Sequence, residues 1–182
     1  MKQTITRKGS FDAGHRVMFE RVKCFNIHGH LYQYELTFEF DTMQNIGYAI
    51  DFKEIKRIAC EFIDEKFDHG FICNPQDIEM LNVCNKLNSK LWVMSLELNR
   101  FCNPTAENLA KELFLCTEQL MSSFKELQLV NVRLYETPNC FVDCTPDSIS
   151  QLERYNFLQN RGEMLQHYVK LKGVVEYDSR KV

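Results

Sequence analysis

From His28 to Phe40 the chain alternates with a period of two. Tyr32, Tyr34, Leu36, Phe38 and Phe40 fall on one side, and Leu31, Gln33, Glu35, Thr37 and Glu39 on the other. Successive side chains of a strand point to opposite faces, so this run reads as a half-buried strand with one strongly apolar face. A face of that kind must be covered, which commits the chain to a sheet with further elements laid upon it. Counting back in twos from Tyr32 reaches His30 and His28, which places two imidazoles on the inward face. A third histidine, His15, ends an earlier stretch from Thr4 in which Phe11, Ala13 and His15 share a face, and this stretch also reads as a strand. The chain has only five histidines, and three of them are gathered here.

Two imidazoles from one strand and a third from an antiparallel neighbour match an open zinc site, with three nitrogen ligands and a fourth position for water or substrate. Histidines that are merely packed and hydrogen-bonded are the competing reading. Cys24 lies four residues before His28, in the loop joining the two strands. It either closes the metal site as a fourth ligand or, as a thiolate favoured by a nearby cation, serves as base or nucleophile.

Asp51 followed by Glu54 marks a helix start with a capping box. Phe52, Ile55, Ala59, Phe62, Ile63 and Phe67 then keep an amphipathic rhythm until Asp68-His69-Gly70. A second helix starts near Asn103-Pro104, where the missing N–H of proline is not needed. Its stripe is Leu109, Leu113, Cys116, Leu120 and Phe124. The intervening segment from Asn74 to Cys102 is irregular and reads as connecting structure, with a short strand at Leu91 to Leu96 holding the only tryptophan, Trp92. Val130, Val132, Leu134 and Glu136 share one face of a further strand, and Thr137-Pro138-Asn139 turns into its partner, Cys140 to Cys144. The order predicts an α+β fold with helices on one sheet face. Residues 1–144 form the main domain; residues 145–182 are expected to be a partly helical extension packed on it, with Ile149, Leu152, Tyr155, Leu158 and Leu165 as its apolar positions.

Two further groups carry chemistry. Asp68-His69 pairs a carboxylate with an imidazole, which can support proton transfer or simply end a helix. Glu136 closes an otherwise apolar row, where an unpaired carboxylate is costly to bury. Its partner is either a basic side chain or a ligand offering two adjacent N–H donors, such as the 2-amino and N3–H edge of a pterin or guanine.

Composition narrows the partners. A net charge of -3 and a pI near 6.0 leave no basic footprint for nucleic acid. No apolar run is long enough to span a bilayer. The eight cysteines show no C-x-x-C pairing and no apolar leader follows Met1-Lys2-Gln3, so reduced thiols and a cytoplasmic location are expected.

Taken in order, Phe11-x-Ala13-x-His15, Cys24-x-x-x-His28-Gly29-His30, Asp51-Phe52, Asp68-His69, Pro104-Thr105-Ala106-Glu107-Asn108 and Glu136-Thr137 resemble the family of 6-pyruvoyltetrahydropterin and 6-carboxytetrahydropterin synthases. The resemblance implies a tunnelling fold: an antiparallel four-stranded sheet with two helices on one face, assembled into homo-oligomeric rings, a hexamer of two trimers, with active sites between subunits. It implies zinc on His15, His28 and His30, Cys24 as the proton-abstracting base, His69 with Asp68 as a proton relay, and Glu136 as the pterin anchor. Thr105 and Glu107 match positions near the pterin pocket. The implied substrate is 7,8-dihydroneopterin triphosphate. The compact Cys-x-x-x-His-Gly-His spacing is similar to that of the bacterial 6-carboxytetrahydropterin synthases of queuosine biosynthesis, whose products are the carboxypterin, acetaldehyde and triphosphate. A pyruvoyl-forming enzyme and a non-catalytic, zinc-stabilised pterin-binding protein are the alternatives.

Overall fold

The computed structural model describes residues 2–97 and 102–173. Strands β1 (Gln3–His15) and β2 (His28–Phe40) pair antiparallel along their whole length, from Gln3 opposite Phe40 to His15 opposite His28. Phe11, Ala13, His15, Tyr32, Tyr34, Leu36 and Phe38 are all buried on one face, as the alternation requires. Strand β5 (Gln128–Thr137) adds to β2, and the hairpin partner β6 (Cys140–Cys144) adds to β5.

The sheet has six strands, in the order β4-β3-β1-β2-β5-β6, where four were expected. The additional two, β3 (Gly70–Cys73) and β4 (Leu91–Val93), run parallel, β3 beside the end of β1 and β4 beside β3. The all-antiparallel expectation therefore holds only for β1, β2, β5 and β6. The expected inward row on β5 also shifts. A register break opposite Thr37 and Phe38 turns Leu129 inward in place of Val130, because the extra residue of a bulge reverses the parity beyond it.

The first helical stretch comprises α1 (Phe52–Ile55), a π-helical turn (Lys56–Cys60) and α2 (Glu61–Phe67). Asp51 caps it by accepting from the Lys53 N–H at 2.9 Å, while Glu54 pairs with Arg57 at 2.6 Å. Helix α4 (Ala106–Leu120) begins two residues later than Pro104, because the Thr105 side chain is its N-cap. Leu109, Leu113, Cys116 and Leu120 are fully buried, and together with Phe62, Ile63 and Phe67 they cover the sheet.

The stretch read as connecting structure contains a helix, α3 (Ile78–Leu87), capped by Asp77. It departs from the one-face arrangement. Ile72 and Trp92 join the main core, whereas Cys73, with Phe71 and Leu91 beside it, packs on Met80 and Cys84 of α3 in a separate cluster. Adjacent strand residues point oppositely, so α3 covers the other side of the parallel strands.

Helix α5 (Gln151–Lys172) lies over α4, with Ser150 and Glu153 forming a capping box. It buries Phe157, Leu165 and Tyr168 in the main core, while Leu152, Tyr155 and Leu158 of the expected stripe face solvent. Residues 174–182 of the expected extension lie outside the described residues. Among the described residues no helix is long and apolar enough to cross a membrane.

Candidate active site

The site forms where the ends of β1 and β2 meet. His15 and His28 are directly opposed, and Ala13 faces His30, so all three imidazoles fall on the inner face. Gly29 between them meets a steric demand. A Cβ there would lie 3.1 Å from the Ala13 carbonyl oxygen across the sheet. One ligand atom from each of His15, His28 and His30 falls within 4.8 Å of the others, and His15 Nε2 is 3.1 Å from His28 Nε2.

The outer nitrogens fix the tautomers. His15 Nδ1 lies 2.7 Å from the Pro104 carbonyl oxygen, and His28 Nδ1 lies 2.8 Å from that of Asn26. A carbonyl can only accept, so each Nδ1 carries the proton and each Nε2 presents a lone pair inward. Two lone pairs at 3.1 Å repel unless a cation sits between them. A tetrahedral ion with Zn–N bonds of ~2.0–2.1 Å spaces its ligand atoms by roughly 3.3 Å, so the donor set fits one. Cys24 is exposed in the loop and does not belong to the ligand cluster.

Burial lowers the His15 pKa to about 4, against the pull of the Pro104 carbonyl; His28 and His30 push it further down. His30 is also lowered, chiefly by burial, with the Glu136 carboxylate acting in the opposite sense. Both rings are thereby held neutral, the form that binds metal. Glu136 Oε1 stands 3.9 Å from Nε2 of both His15 and His30, which puts one carboxylate beside the imidazole cluster. Beneath them the Tyr32 ring lies edge-on to His15 and His30, and its buried hydroxyl has no hydrogen-bond partner among the described residues.

His69 borders a shallow cleft with Asp12, Gly14, Gly29, His30 and Leu31, while Glu136 borders a neighbouring one with His30 and Gln33. Asp68 bridges the two elements, accepting the Asp12 N–H at 2.8 Å through Oδ1 and meeting His69 Nδ1 at 2.5 Å through Oδ2. The Asp12 N–H, then the His69 ring, hold the Asp68 carboxyl below its usual range despite partial desolvation. His69 has a positive φ of 56° and is 78 % exposed, so within one chain its ring faces solvent. Thr105 is occupied in capping α4, and Glu107 is exposed in its first turn.

Sequence reasoning missed the backbone carbonyls of Asn26 and Pro104, since a carbonyl carries no residue-type signal. The Pro104 contact was traceable only in that Asn103-Pro104 was read as a helix start. Arg16 follows the candidate ligand His15 directly in sequence, which by itself says nothing of its partner. Its guanidinium is engaged by the buried Asp77, with both contacts at 2.5 Å.

The family model of 6-pyruvoyl tetrahydropterin synthase matches residues 4–147. This chain belongs to that family. Among curated members, the 6-carboxy-5,6,7,8-tetrahydropterin synthase of Rickettsia felis is 38% identical over 139 residues, covering 76% of this chain and 96% of the relative. The protein of the same name from Aquifex aeolicus is 31% identical over 155 residues, covering 75% and 94%. The structure of Caenorhabditis elegans 6-pyruvoyl tetrahydropterin synthase superposes with a TM-score of 0.58 at 22% identity, covering 80% of this chain and 96% of that one. The family match stops within the turn before α5, so that helix lies outside the portion shared with the family model.

Proposed function

We propose that this chain is a zinc-dependent lyase that converts 7,8-dihydroneopterin triphosphate and one water to 6-carboxy-5,6,7,8-tetrahydropterin, releasing acetaldehyde and triphosphate. The observation that carries the reading is the trio of imidazoles whose ligand atoms lie within 4.8 Å of one another, two of them, His15 and His28, with Nδ1 committed to a carbonyl and Nε2 turned inward, and with one carboxylate beside them. The carboxy product is favoured over the pyruvoyl one by the compact Cys24-x-x-x-His28-Gly29-His30 spacing and by the names of the relatives from Rickettsia felis and Aquifex aeolicus.

His15, His28 and His30 would hold the zinc, which supplies Lewis-acid polarisation of the substrate's side-chain hydroxyls when bound. Glu136 accepts from the 2-amino group and N3–H of the pterin ring in bidentate fashion, which fixes the ring and aims the side chain at the imidazoles. Cys24, as thiolate, removes a proton from a side-chain carbon. His69 returns and relays protons, and Asp68 holds its Nδ1–H so that Nε2 is the working nitrogen. Thr105 and Glu107 are assigned to the ring's end of the pocket by the family resemblance alone. Because the His69 ring is 78 % exposed in a single chain, it is read as serving a site completed by another copy. The sites are accordingly proposed to lie at subunit interfaces of a homo-oligomer, a hexamer of two trimers, a reading that the exposed His69 ring supports without giving the number of subunits.

The test incubates zinc-loaded protein with 7,8-dihydroneopterin triphosphate and follows products by mass spectrometry. Carboxypterin with acetaldehyde is expected. A pyruvoyl product would reassign the reaction within the family, and absence of both triphosphate release and any new pterin would refute the lyase reading.

A further inference from the structure

The loop that carries Cys24, residues 16–27, is held from outside itself. Asn103 grips Met18 by both backbone groups, its Oδ1 accepting the Met18 N–H at 2.9 Å and its Nδ2 donating to the Met18 carbonyl at 2.9 Å. The same Oδ1 accepts from Asn74 Nδ2 at 2.9 Å. Next to Met18, the Val17 N–H donates to the carbonyl of Cys24 itself at 2.7 Å. A second strut runs from Asp77, which is 2% exposed, through its two contacts with the Arg16 guanidinium, which in turn lies 5.3 Å from the centre of the Phe25 ring. Phe25 is the residue after Cys24. The second strut starts in the segment from Asn74 to Cys102, whose helix α3 the sequence pattern did not disclose, and the first at Asn103, the residue that follows it.

Within the loop Glu20 accepts from the Val22 N–H at 2.8 Å and the Phe25 N–H at 3.2 Å, so the turn around Cys24 is one tied body. Such a body moves as its anchors move. The residue after Asn103 also holds the metal-site end, since the Pro104 carbonyl accepts from His15 Nδ1. One elbow thus fixes the thiol's loop and an imidazole in a common frame.

We propose that Asn103 and Asp77 are positioning residues for Cys24. They act through Met18 and Arg16 to set the thiol's distance and direction relative to the imidazole cluster. This rests on the functional reading above for the role of the thiol, but the placement itself is measurable without substrate. The bidentate Arg16–Asp77 pair is part-buried, with Asp77 itself buried, and directional, which suits it to hold a direction as well as a distance.

The test uses the full chain loaded with zinc and the substitutions Asn103→Ala and Asp77→Asn; the latter keeps an N-cap acceptor for α3 and removes the bidentate ion pair, leaving Arg16 only its single contact with the exposed Glu79 at 3.1 Å. The rate of iodoacetamide modification at Cys24 is followed against pH by peptide mass spectrometry, which separates it from the exposed Cys140. Metal content, melting and steady-state kinetics on 7,8-dihydroneopterin triphosphate are measured on the same samples. We expect bound zinc to be unchanged, the Cys24 modification profile to shift, and kcat to fall at least about tenfold with KM within about twofold, as expected when a reacting group is misplaced. Arg16→Lys, which keeps the charge and loses the fork, should shift the profile in the same direction by less, and it decides the matter if the other variants do not fold. Folded variants with wild-type Cys24 modification and wild-type kcat overturn the proposal. So does loss of kcat together with bound zinc while Cys24 reacts normally, because the damage then lies at the imidazoles. A wild-type protein that turns over no pterin strikes the functional reading alone, and the modification profile still decides the placement.

Discussion

Acid should loosen the metal-free protein through the imidazoles whose pKa burial lowers, and the share of His15 can be isolated. His15 is 1% exposed, and burial takes its pKa from 6.5 to about 4. In the unfolded chain the ring titrates normally. Above pH 6.5 it is neutral in both states and contributes no pH dependence; below that, the unfolded state binds a proton that the folded state refuses. Stability therefore falls by up to ~1.4 kcal/mol per pH unit across the window from 6.5 to 4, which amounts to about 2 kcal/mol between pH 7 and pH 5. The perturbation is His15→Asn, which keeps an N–H donor for the Pro104 carbonyl and cannot titrate. Urea unfolding of both chelator-stripped proteins at pH 7, 6 and 5 measures the difference, and the comparison is of slopes, since the substitution also shifts absolute stability. The wild-type curve should drop by about 2 kcal/mol more than the variant between pH 7 and pH 5. Parallel curves would refute the claim that this imidazole is folded in as a neutral group.

Other outcomes follow from the same geometry. Replacing Glu136 by Gln keeps the size and removes the acceptor charge; KM for the pterin triphosphate should rise by roughly tenfold or more, measured in steady state, while zinc content stays at the wild-type level. Chelation should abolish turnover and shift the melting transition downward by calorimetry, with both effects reversed by added zinc. Leu113→Ala empties a fully buried position between α4 and the sheet and should cost about 2–5 kcal/mol by urea titration. Phe157→Ala, in the helix beyond the family match, should cost about 3–5 kcal/mol in the same assay, because that ring is part of the main core. An effect below ~1 kcal/mol would mean that α5 is only loosely applied.

The strands and the imidazole cluster were legible because they depend on parity. A period of two from Phe40 back to His28, set against Phe11, Ala13 and His15, needs only antiparallel pairing to bring three rings together. The parallel strands were not legible. Gly70–Cys73 and Leu91–Val93 are too short to show a period, and their partners are fixed by the chain's return path. Helix α3 was hidden because its apolar residues do not form one stripe: Met80 and Cys84 pack inward, while Ile78, Val83 and Leu87 are exposed. In α5 apolar residues lie all around the helix, so the stripe through Leu152, Tyr155 and Leu158 was as readable as the one through Phe157, Leu165 and Tyr168 that is buried. What selects between them is the surface of α4 and the first helical stretch, which no local window contains. The π-helical turn at Lys56–Cys60 likewise keeps an apolar rhythm that reads as plain α-helix.

The pairing of His15 with His28 has a consequence for the loop between them. These two residues are the last of β1 and the first of β2, so residues 16–27 leave the sheet at one and return at the other. An ion ligated by both ties the two ends of a short loop together in the folded protein, and because that arrangement of imidazoles exists only there, the ion stabilises the fold by its own binding free energy. Loss of the ion removes that tie but leaves the backbone pairing of His15 with His28 at the neck. The segment bearing Cys24 then rests on that pairing and on its outer anchors at Asn103 and Asp77, so emptying the imidazoles and displacing the thiol are separable events.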